Sequence, residues 1–261
     1  MNRNYTYSAL ALHSRNSGEN NREVTFLTAE EGLIRATVFG GPKSKLRAHA
    51  APYHQGTLWI YRDPAKEYRK VTDFDVAIWR PGIRELYERT MAAAGIAQTI
   101  LETQGGGGDH WASALALAAS ALNGLDTAEP PLCRRILLYF LWNWTGILGQ
   151  QHSLTHCESC ACEVRQDELL WYTRTEGIMR CSSCANERGE DARNLDASQE
   201  LRDNLPLGPG ARNWLRAMEA LGSDALGRYS MDTESEREVK PVCTAIIAGI
   251  LGKRLETWNL L

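Results

Sequence analysis

The most specific chemistry in this 261-residue chain lies in two cysteine pairs. Cys157 and Cys160 form one CxxC, Cys181 and Cys184 a second, and 20 residues separate them. A CxxC curls into a tight knuckle that aims two thiolates at one point. Two knuckles complete the tetrahedral four-sulfur shell that Zn²⁺ favours, at about 2.3 Å per sulfur. Such a shell leaves no open position for water, so the spacing predicts one structural zinc ion rather than a catalytic one. An Fe–S cluster or a pair of redox dithiols are the alternatives that the same thiols allow. Cys162 and His156 flank the first knuckle as substitute ligands, ranked below the CxxC members because each needs a less usual geometry. Arg165, Arg174 and Arg180 stand near enough in sequence to offset the roughly −2 charge of a zinc ion held by four thiolates. Cys133 and Cys243 fall on apolar helical faces and read as core thiols.

Catalytic constellations are missing. The chain has no GxSxG, no HExxH, no Walker A lysine and no KxDG nucleophile motif. Its six histidines, at 13, 49, 54, 110, 152 and 156, pair with no acid in a recognisable arrangement. Asp73/Asp75 and Glu30/Glu31 read as exposed strand and turn residues, and Gly105–Gly108 as a flexible connector rather than a phosphate loop. The residues therefore predict a binding protein, not an enzyme.

Alternating runs position the first group of candidates. Thr6–Leu12, Glu23–Thr28, Leu33–Phe39, Thr57–Tyr61 and Thr72–Ile78 give five short strands. Ile34, Ala36 and Val38 face one way and Arg35, Thr37 and Phe39 the other, while Leu58 and Ile60 oppose Trp59 and Tyr61. In the first run Leu10 and Leu12 share a face with Thr6 and Ser8; in the last, Phe74, Val76 and Ile78 oppose the two aspartates. Five antiparallel, half-buried strands in so short a span suit a small barrel of the OB type. After Pro81 the period turns helical: Ile83–Leu101, Trp111–Leu125, an all-apolar Pro130–Leu148, and a helix through Val242–Leu251 stopped by Gly252. Trp142 and Trp144 belong to packing on this reading. The charged stretch Asn186–Asn204 reads as linker and surface helix. The expected architecture is α+β in two domains: an OB-fold β-barrel over 1–80, then a mainly α-helical domain over 81–261 carrying a four-cysteine zinc-finger insertion at 155–186.

Net charge is −3, with 43% apolar and 23% charged residues, which are ordinary globular values. The charge is uneven. Residues 1–80 hold 12 Lys and Arg against 8 acids, and Gly32–Arg62 carries Arg35, Lys43, Lys45, Arg47 and Arg62 with no acid. Such a patch attracts phosphate locally, although a solvated basic face accounts for the charge equally well. The longest apolar run, Ile136–Trp142, is too short to span a bilayer, and the first residues lack a secretion signal. The expected compartment is the reducing cytoplasm.

One stretch carries a family resemblance. Ser17-Gly18-Glu19-Asn20-Asn21-Arg22-Glu23-Val24-Thr25-Phe26-Leu27-Thr28, then Glu31-Gly32-Leu33-Ile34-Arg35-Ala36 and Gly40-Gly41-Pro42-Lys43-Ser44-Lys45, resembles the opening of the bacterial DNA repair family RecO. The likeness covers residues 5–62, and the downstream order of helices, paired CxxC motifs and final apolar helix is similar as well. It is the zinc-binding branch of that family that the chain resembles. The resemblance implies a recombination mediator of the RecF pathway. Such a protein binds single- and double-stranded DNA, anneals complementary strands without ATP and acts with RecR. It helps RecA replace the single-stranded-DNA-binding protein, and it works at the nucleoid. A mediator must neutralise phosphate and keep bases accessible, so the DNA-contact candidates are Arg15, Arg22, Arg35, Phe39, Lys43, Lys45, Arg47, Trp59 and Tyr61. The competing expectation is a different OB-and-zinc adaptor that binds RNA or serves as a structural subunit. Arg134 and Arg135 are the helical half's candidates for holding an acidic partner tail.

Overall fold

Five strands close into a barrel in the computed structural model of the chain, which describes residues 3–41, 43–63, 65, 68–108, 110–186, 203–221 and 226–259. They are β1 (Asn4–Ser17), β2 (Asn21–Thr28), β3 (Gly32–Val38), β4 (Gln55–Asp63) and β5 (Tyr68–Ile78), with a one-turn helix α1 (Lys45–His49) between β3 and β4. The strand order is β1-β2-β3-β5-β4, with β4 returning to β1. All pairings are antiparallel except β3 with β5, which meet in parallel at Thr37 and Lys70. This is the OB-type barrel that the alternation predicts.

Period-2 patterning fills the barrel. Ile34, Ala36 and Val38 of β3, Leu58 and Ile60 of β4, and Phe26 and Phe74 point inward with Tyr7, Ala9 and Ala11 of β1. Phe26 and Phe74 meet edge to face at 5.4 Å. Each large side chain so buried contributes about 1.5–3 kcal/mol. Leu46 and Ala50, at and just beyond α1, close the core at one end of the barrel.

The structure differs from the sequence pattern at three places. Leu10, Leu12 and Leu27 are also fully buried, although they lie outside that core. Two helices, α2 (Tyr87–Glu102) and α3 (Trp111–Thr127), pack on β1 and β2, so both faces of these strands are covered. Ile78 ends β5 largely exposed instead of joining the core. Of Gly105–Gly108, the stretch read as a flexible connector, Gly107 and Gly108 are exposed with open space around them, whereas Gly105 is built into the fold. All four adopt positive φ, and Gly105 is buried so tightly that a Cβ would stand 3.1 Å from Leu33. Gly32 is equally constrained: at φ 64°, a Cβ there would meet the Trp111 indole at 2.6 Å.

Two buried arginines hold the barrel and its first helices together chiefly by donating to backbone and amide oxygens, although Arg89 also stands 3.7 Å from the Glu85 carboxylate. Arg80, 2% exposed, donates to Tyr53 O at 2.6 Å, Asn123 Oδ1 at 2.7 Å and Gln55 Oε1 at 2.8 Å. Burial brings its pKa down to about 10, against the pull of Asp126. Arg89 donates to Ala128 O at 2.7 Å, Asp126 O at 3.0 Å and Gly82 O at 3.1 Å.

The chain divides into two compact units, Met1–Cys133 and Arg134–Asn259. The division falls inside α4 (Pro130–Ile147), and α2 and α3 belong with the barrel. In the second unit α4 is buried all round from Ile136 to Trp142, while Arg134 near its start is exposed. Phe140 stacks on Trp144 at 5.2 Å, and the Trp142 Nε1–H donates to Glu219 at 2.9 Å, so both tryptophans are packing residues. With it stand α5 (Ser182–Asn186), α6 (Pro209–Ala220) and α7 (Thr233–Leu251). Asp232 caps α7 by accepting from Ser235 N at 2.7 Å, and Gly252 ends it at φ 66°.

A three-stranded sheet runs in the order β7 (Ile178–Cys181), β6 (Leu170–Thr173), β8 (Asn204–Leu207). Its third strand comes from beyond the 155–186 window, so the cysteine-bearing module is completed by a later segment. Of the stretch read as linker and surface helix, residues 187–202 lie outside the described residues; Asn204 opens β8. Among the described residues no helix is long and apolar enough to cross a membrane.

Candidate functional site

Two places in the molecule gather chemistry. The first is the cysteine module. The Sγ atoms of Cys157, Cys160, Cys162 and Cys181 all lie within 4.8 Å of one another. Cys160 and Cys181 stand 3.9 Å apart. Sulfurs bound tetrahedrally at about 2.3 Å to one ion are about 3.8 Å apart, so the spacing and the soft donor set fit zinc. The Cys184 thiol interacts with those of Cys160, Cys181 and Cys157. Cys184 is nonetheless outside the group that lies within 4.8 Å, so the four thiols gathered most closely are not the two CxxC pairs: Cys162 stands where the spacing predicts Cys184. Cys157, Cys160 and Cys181 are common to either set, with Cys184 or Cys162 in fourth place. His156 is outside the group, its Nδ1 meeting the Thr155 hydroxyl at 3.0 Å.

The backbone explains this convergence. After Cys160 the chain reverses through Ala161 in a left-handed conformation, φ 59°, with the Ala161 N–H donating to Cys157 O at 2.9 Å. Burial disfavours a Cys157 thiolate, but the backbone N–H groups of Cys181, Cys160 and Ser159 outweigh it and lower its pKa to about 6. Backbone and thiol contacts from Cys162 also lower Cys160. Contacts with Cys160 and Cys181 push Cys162 and Cys184 up to about 12, because crowded thiols resist ionising together until a cation sits among them.

Glu158, inside the first CxxC, locks the two knuckles. It accepts from Met179 N of β7 at 2.8 Å, from Ser153 N at 3.1 Å and from His152 Nδ1 at 3.0 Å. Arg212 on α6, 4% exposed, donates to four carbonyls around the module: Glu168 at 2.8 Å, Arg165 at 2.9 Å, Leu154 at 3.0 Å and Val164 at 3.1 Å.

The second place is the barrel end beside α1. A groove of about 520 Å³ is lined by Arg22, Arg47, Ala48, Ala51, Pro52, His54, Trp79, Pro81 and Arg84, with no acid among the described residues that line it. Trp79, 46% exposed, is held by two imidazoles, His54 at 4.7 Å and His49 at 5.3 Å between ring centres. Both rings are fixed in turn. His49 Nδ1–H donates to Phe74 O and His54 Nδ1–H to His49 O, each at 2.9 Å. Burial, with Arg84 and Arg80 adding to it, holds the His54 imidazole below its ordinary pKa against the pull of the His49 carbonyl.

Of the nine residues singled out on the barrel, the structure brings Arg22 and Arg47 together in this groove. Lys43 and Lys45 are exposed, the one just before α1 and the other opening it. Phe39, 40% exposed, lies under the Lys70 ammonium, 5.3 Å from its ring centre, and beside Tyr68. Tyr61, the register partner of Lys70, accepts a hydrogen bond from Arg3 at 3.1 Å. Trp59 is half-buried opposite Asp73. Arg35 is exposed on β3, and Arg15 is paired with Glu23 at 2.7 Å. Trp79, Arg84, His54 and Lys70 are not among the nine. Trp79 lies next to Arg80-Pro81, where a strand stops, and that is the one local signal for it.

The chain matches the family model for the recombination protein O N terminal over residues 1–77 and that for the recombination protein O C terminal over residues 85–259. It is 29% identical over 180 residues to the DNA repair protein RecO of Geobacter metallireducens, covering 67% of this chain and 70% of that one. It is 23% identical over 258 residues to the RecO of Desulfitobacterium hafniense (strain DSM 10664 / DCB-2), covering 98% and 88%. With Oleidesulfovibrio alaskensis RecO the identity is 25% over 236 residues, covering 83% and 92%. Matched from the first strand of the barrel to its last helix, the chain belongs to the RecO family of DNA repair and recombination proteins.

Proposed function

We propose that the protein is a non-enzymatic recombination mediator that binds single- and double-stranded DNA through its barrel and anneals complementary strands without ATP. It acts with RecR to help RecA displace the single-stranded-DNA-binding protein, and it works in the cytoplasm at the nucleoid. The observation that carries the reading is the basic groove at one end of an OB-type barrel, with no acid among the described residues that line it, and exposed Lys43 and Lys45 just before and at the start of α1. Annealing asks little covalent chemistry of a protein. It needs phosphate charge neutralised on two strands while base edges stay free, and guanidinium and ammonium groups beside exposed rings supply both. The cysteine module serves as scaffold on this reading: one zinc ion on Cys157, Cys160, Cys181 and Cys184 supplies the folding energy that its short strands lack.

The test is the salt dependence of DNA binding. The Lys43→Ala/Lys45→Ala/Arg47→Ala variant binds an oligonucleotide at least about tenfold more weakly at low salt than the parent. Its log–log salt slope is shallower by about 2, the value expected for three lost phosphate contacts on a single strand. Equal slopes for variant and parent overturn the assignment of DNA to this face.

A further inference from the structure

The geometry points to the Trp79 groove as a subsite for one unpaired DNA base, stacked on the exposed indole with its flanking phosphates on Arg22, Arg47 and Arg84. The inference rests on the reading of the barrel as a DNA-binding surface and adds to it the strand form that this site recognises.

Three features carry it. The first is the platform. Trp79 shows nearly half its surface to solvent while two imidazoles grip it, so its plane is set before any ligand arrives. A preset ring takes a base with little loss of rotamer freedom. The second is charge. Three arginines from β2, α1 and the 3-10 turn Pro81–Arg84 line the groove without an acid, which suits a phosphodiester on either side of a stacked base. The third is rigidity. Arg84 donates to Pro52 O at 3.2 Å, and the neighbouring Arg80 ties Tyr53, Gln55 and Asn123 together beneath the groove wall. Tyr53 itself is held at φ 73°, a conformation that a side chain larger than glycine keeps only when its surroundings impose it.

The groove, at about 520 Å³, lies within the range of about 300–1,000 Å³ that ligand pockets occupy. A base inside a duplex has both faces covered by its neighbours and cannot offer one to the indole. An unpaired base can. The site thus discriminates single strand from duplex, whereas the lysines beside α1 contact phosphate in either.

Full-length Trp79→Ala and Trp79→Phe are compared with the parent for binding a thymidine homopolymer of about twenty nucleotides and a duplex of similar length. The ratio of single-strand to duplex affinity falls about 5- to 150-fold in Trp79→Ala, and Trp79→Phe, which keeps a ring, stays near the parent. A second measurement needs no variant. In the unmodified protein, light-induced coupling of a 5-iodouracil-substituted strand leaves its adduct on Trp79. An unchanged ratio, with adducts elsewhere on a parent that still binds DNA, overturns the groove and leaves the barrel reading standing. A parent that binds neither DNA form overturns both. A uridine homopolymer held more tightly than the thymidine one, in a Trp79-dependent way, overturns the assignment to DNA.

Discussion

Cys181→Ser and Cys184→Ser protein emerges from purification with less than about 0.2 metal ions per chain, against about one in the parent, and with the cysteine module unfolded. The module's three strands are four residues each, too short to bury a core of their own. What holds it is convergence of thiols. Zinc bound by such knuckles is worth about 10–16 kcal/mol, as much as a whole domain's net stability of about 5–15 kcal/mol. Replacing one thiolate by a hydroxyl therefore removes most of the module's reason to fold, and chelation of the parent has the same effect. Cys162→Ser keeps its metal, because Cys184 completes the second knuckle without it. Metal analysis under reducing conditions with a thermal melt reads both outcomes. A metal-free parent that melts like the loaded one contradicts the scaffold role, and metal lost from Cys162→Ser but kept by Cys184→Ser gives the fourth place to Cys162.

The next largest effect is expected at Arg212. Arg212→Met leaves the carbonyls of Leu154, Val164, Arg165 and Glu168 without the donor that now serves all four. Methionine fills most of the volume, so packing is spared and the loss is that of charge-assisted hydrogen bonds. Each buried acceptor left bare costs about 1–3 kcal/mol, although water reaches some of them. A net loss of about 3–5 kcal/mol follows, the range for breaking a buried charged network. Burial already holds the Arg212 pKa below its ordinary value, which marks how little water it meets. Arg212→Lys keeps the charge but not the fork, and rescues only part of the loss. The urea midpoint of metal-loaded protein measures this. A shift worth under about 1 kcal/mol, the ordinary value of a single neutral hydrogen bond, contradicts the staple role.

The cysteines and Arg212 differ in how visible they are in the sequence. Cysteines at fixed spacing announce a shared point, and the structure gathers Cys157, Cys160 and Cys181, with Cys162 rather than Cys184 within 4.8 Å of them. Arg212 reads in sequence as one charge among 29 basic residues, and nothing local tells that four carbonyls from 154–168 will surround it. The same holds for Arg80 and Arg89, whose charge counts toward a basic N-terminal half or a helix face yet is spent inside the fold.

The barrel is legible where one face meets the core and the other meets water, as in Ile34, Ala36 and Val38 of β3. It is illegible where both faces are covered. Under α2 and α3, Leu10 and Leu12 are as buried as Ala9 and Ala11, so period 2 fades in β1. The strand β8 is hidden for another reason, since it pairs with β6 across more than thirty residues of sequence. The Trp79 groove is the extreme case. Its residues come from β2, α1, the loop between α1 and β4, and the residues just after β5, and only barrel closure brings these segments together. A basic residue picked from its place in a strand can also be spent elsewhere, as Arg15 is on Glu23.

The measurement that tests the account most directly is annealing of two complementary oligonucleotides by full-length, metal-loaded protein in the absence of any nucleoside triphosphate. Annealing is expected to run faster than in buffer alone, with a gain that shrinks as salt rises and that the Lys43→Ala/Lys45→Ala/Arg47→Ala variant largely loses. Folded, metal-loaded protein that leaves the annealing rate unchanged at low salt would contradict the account.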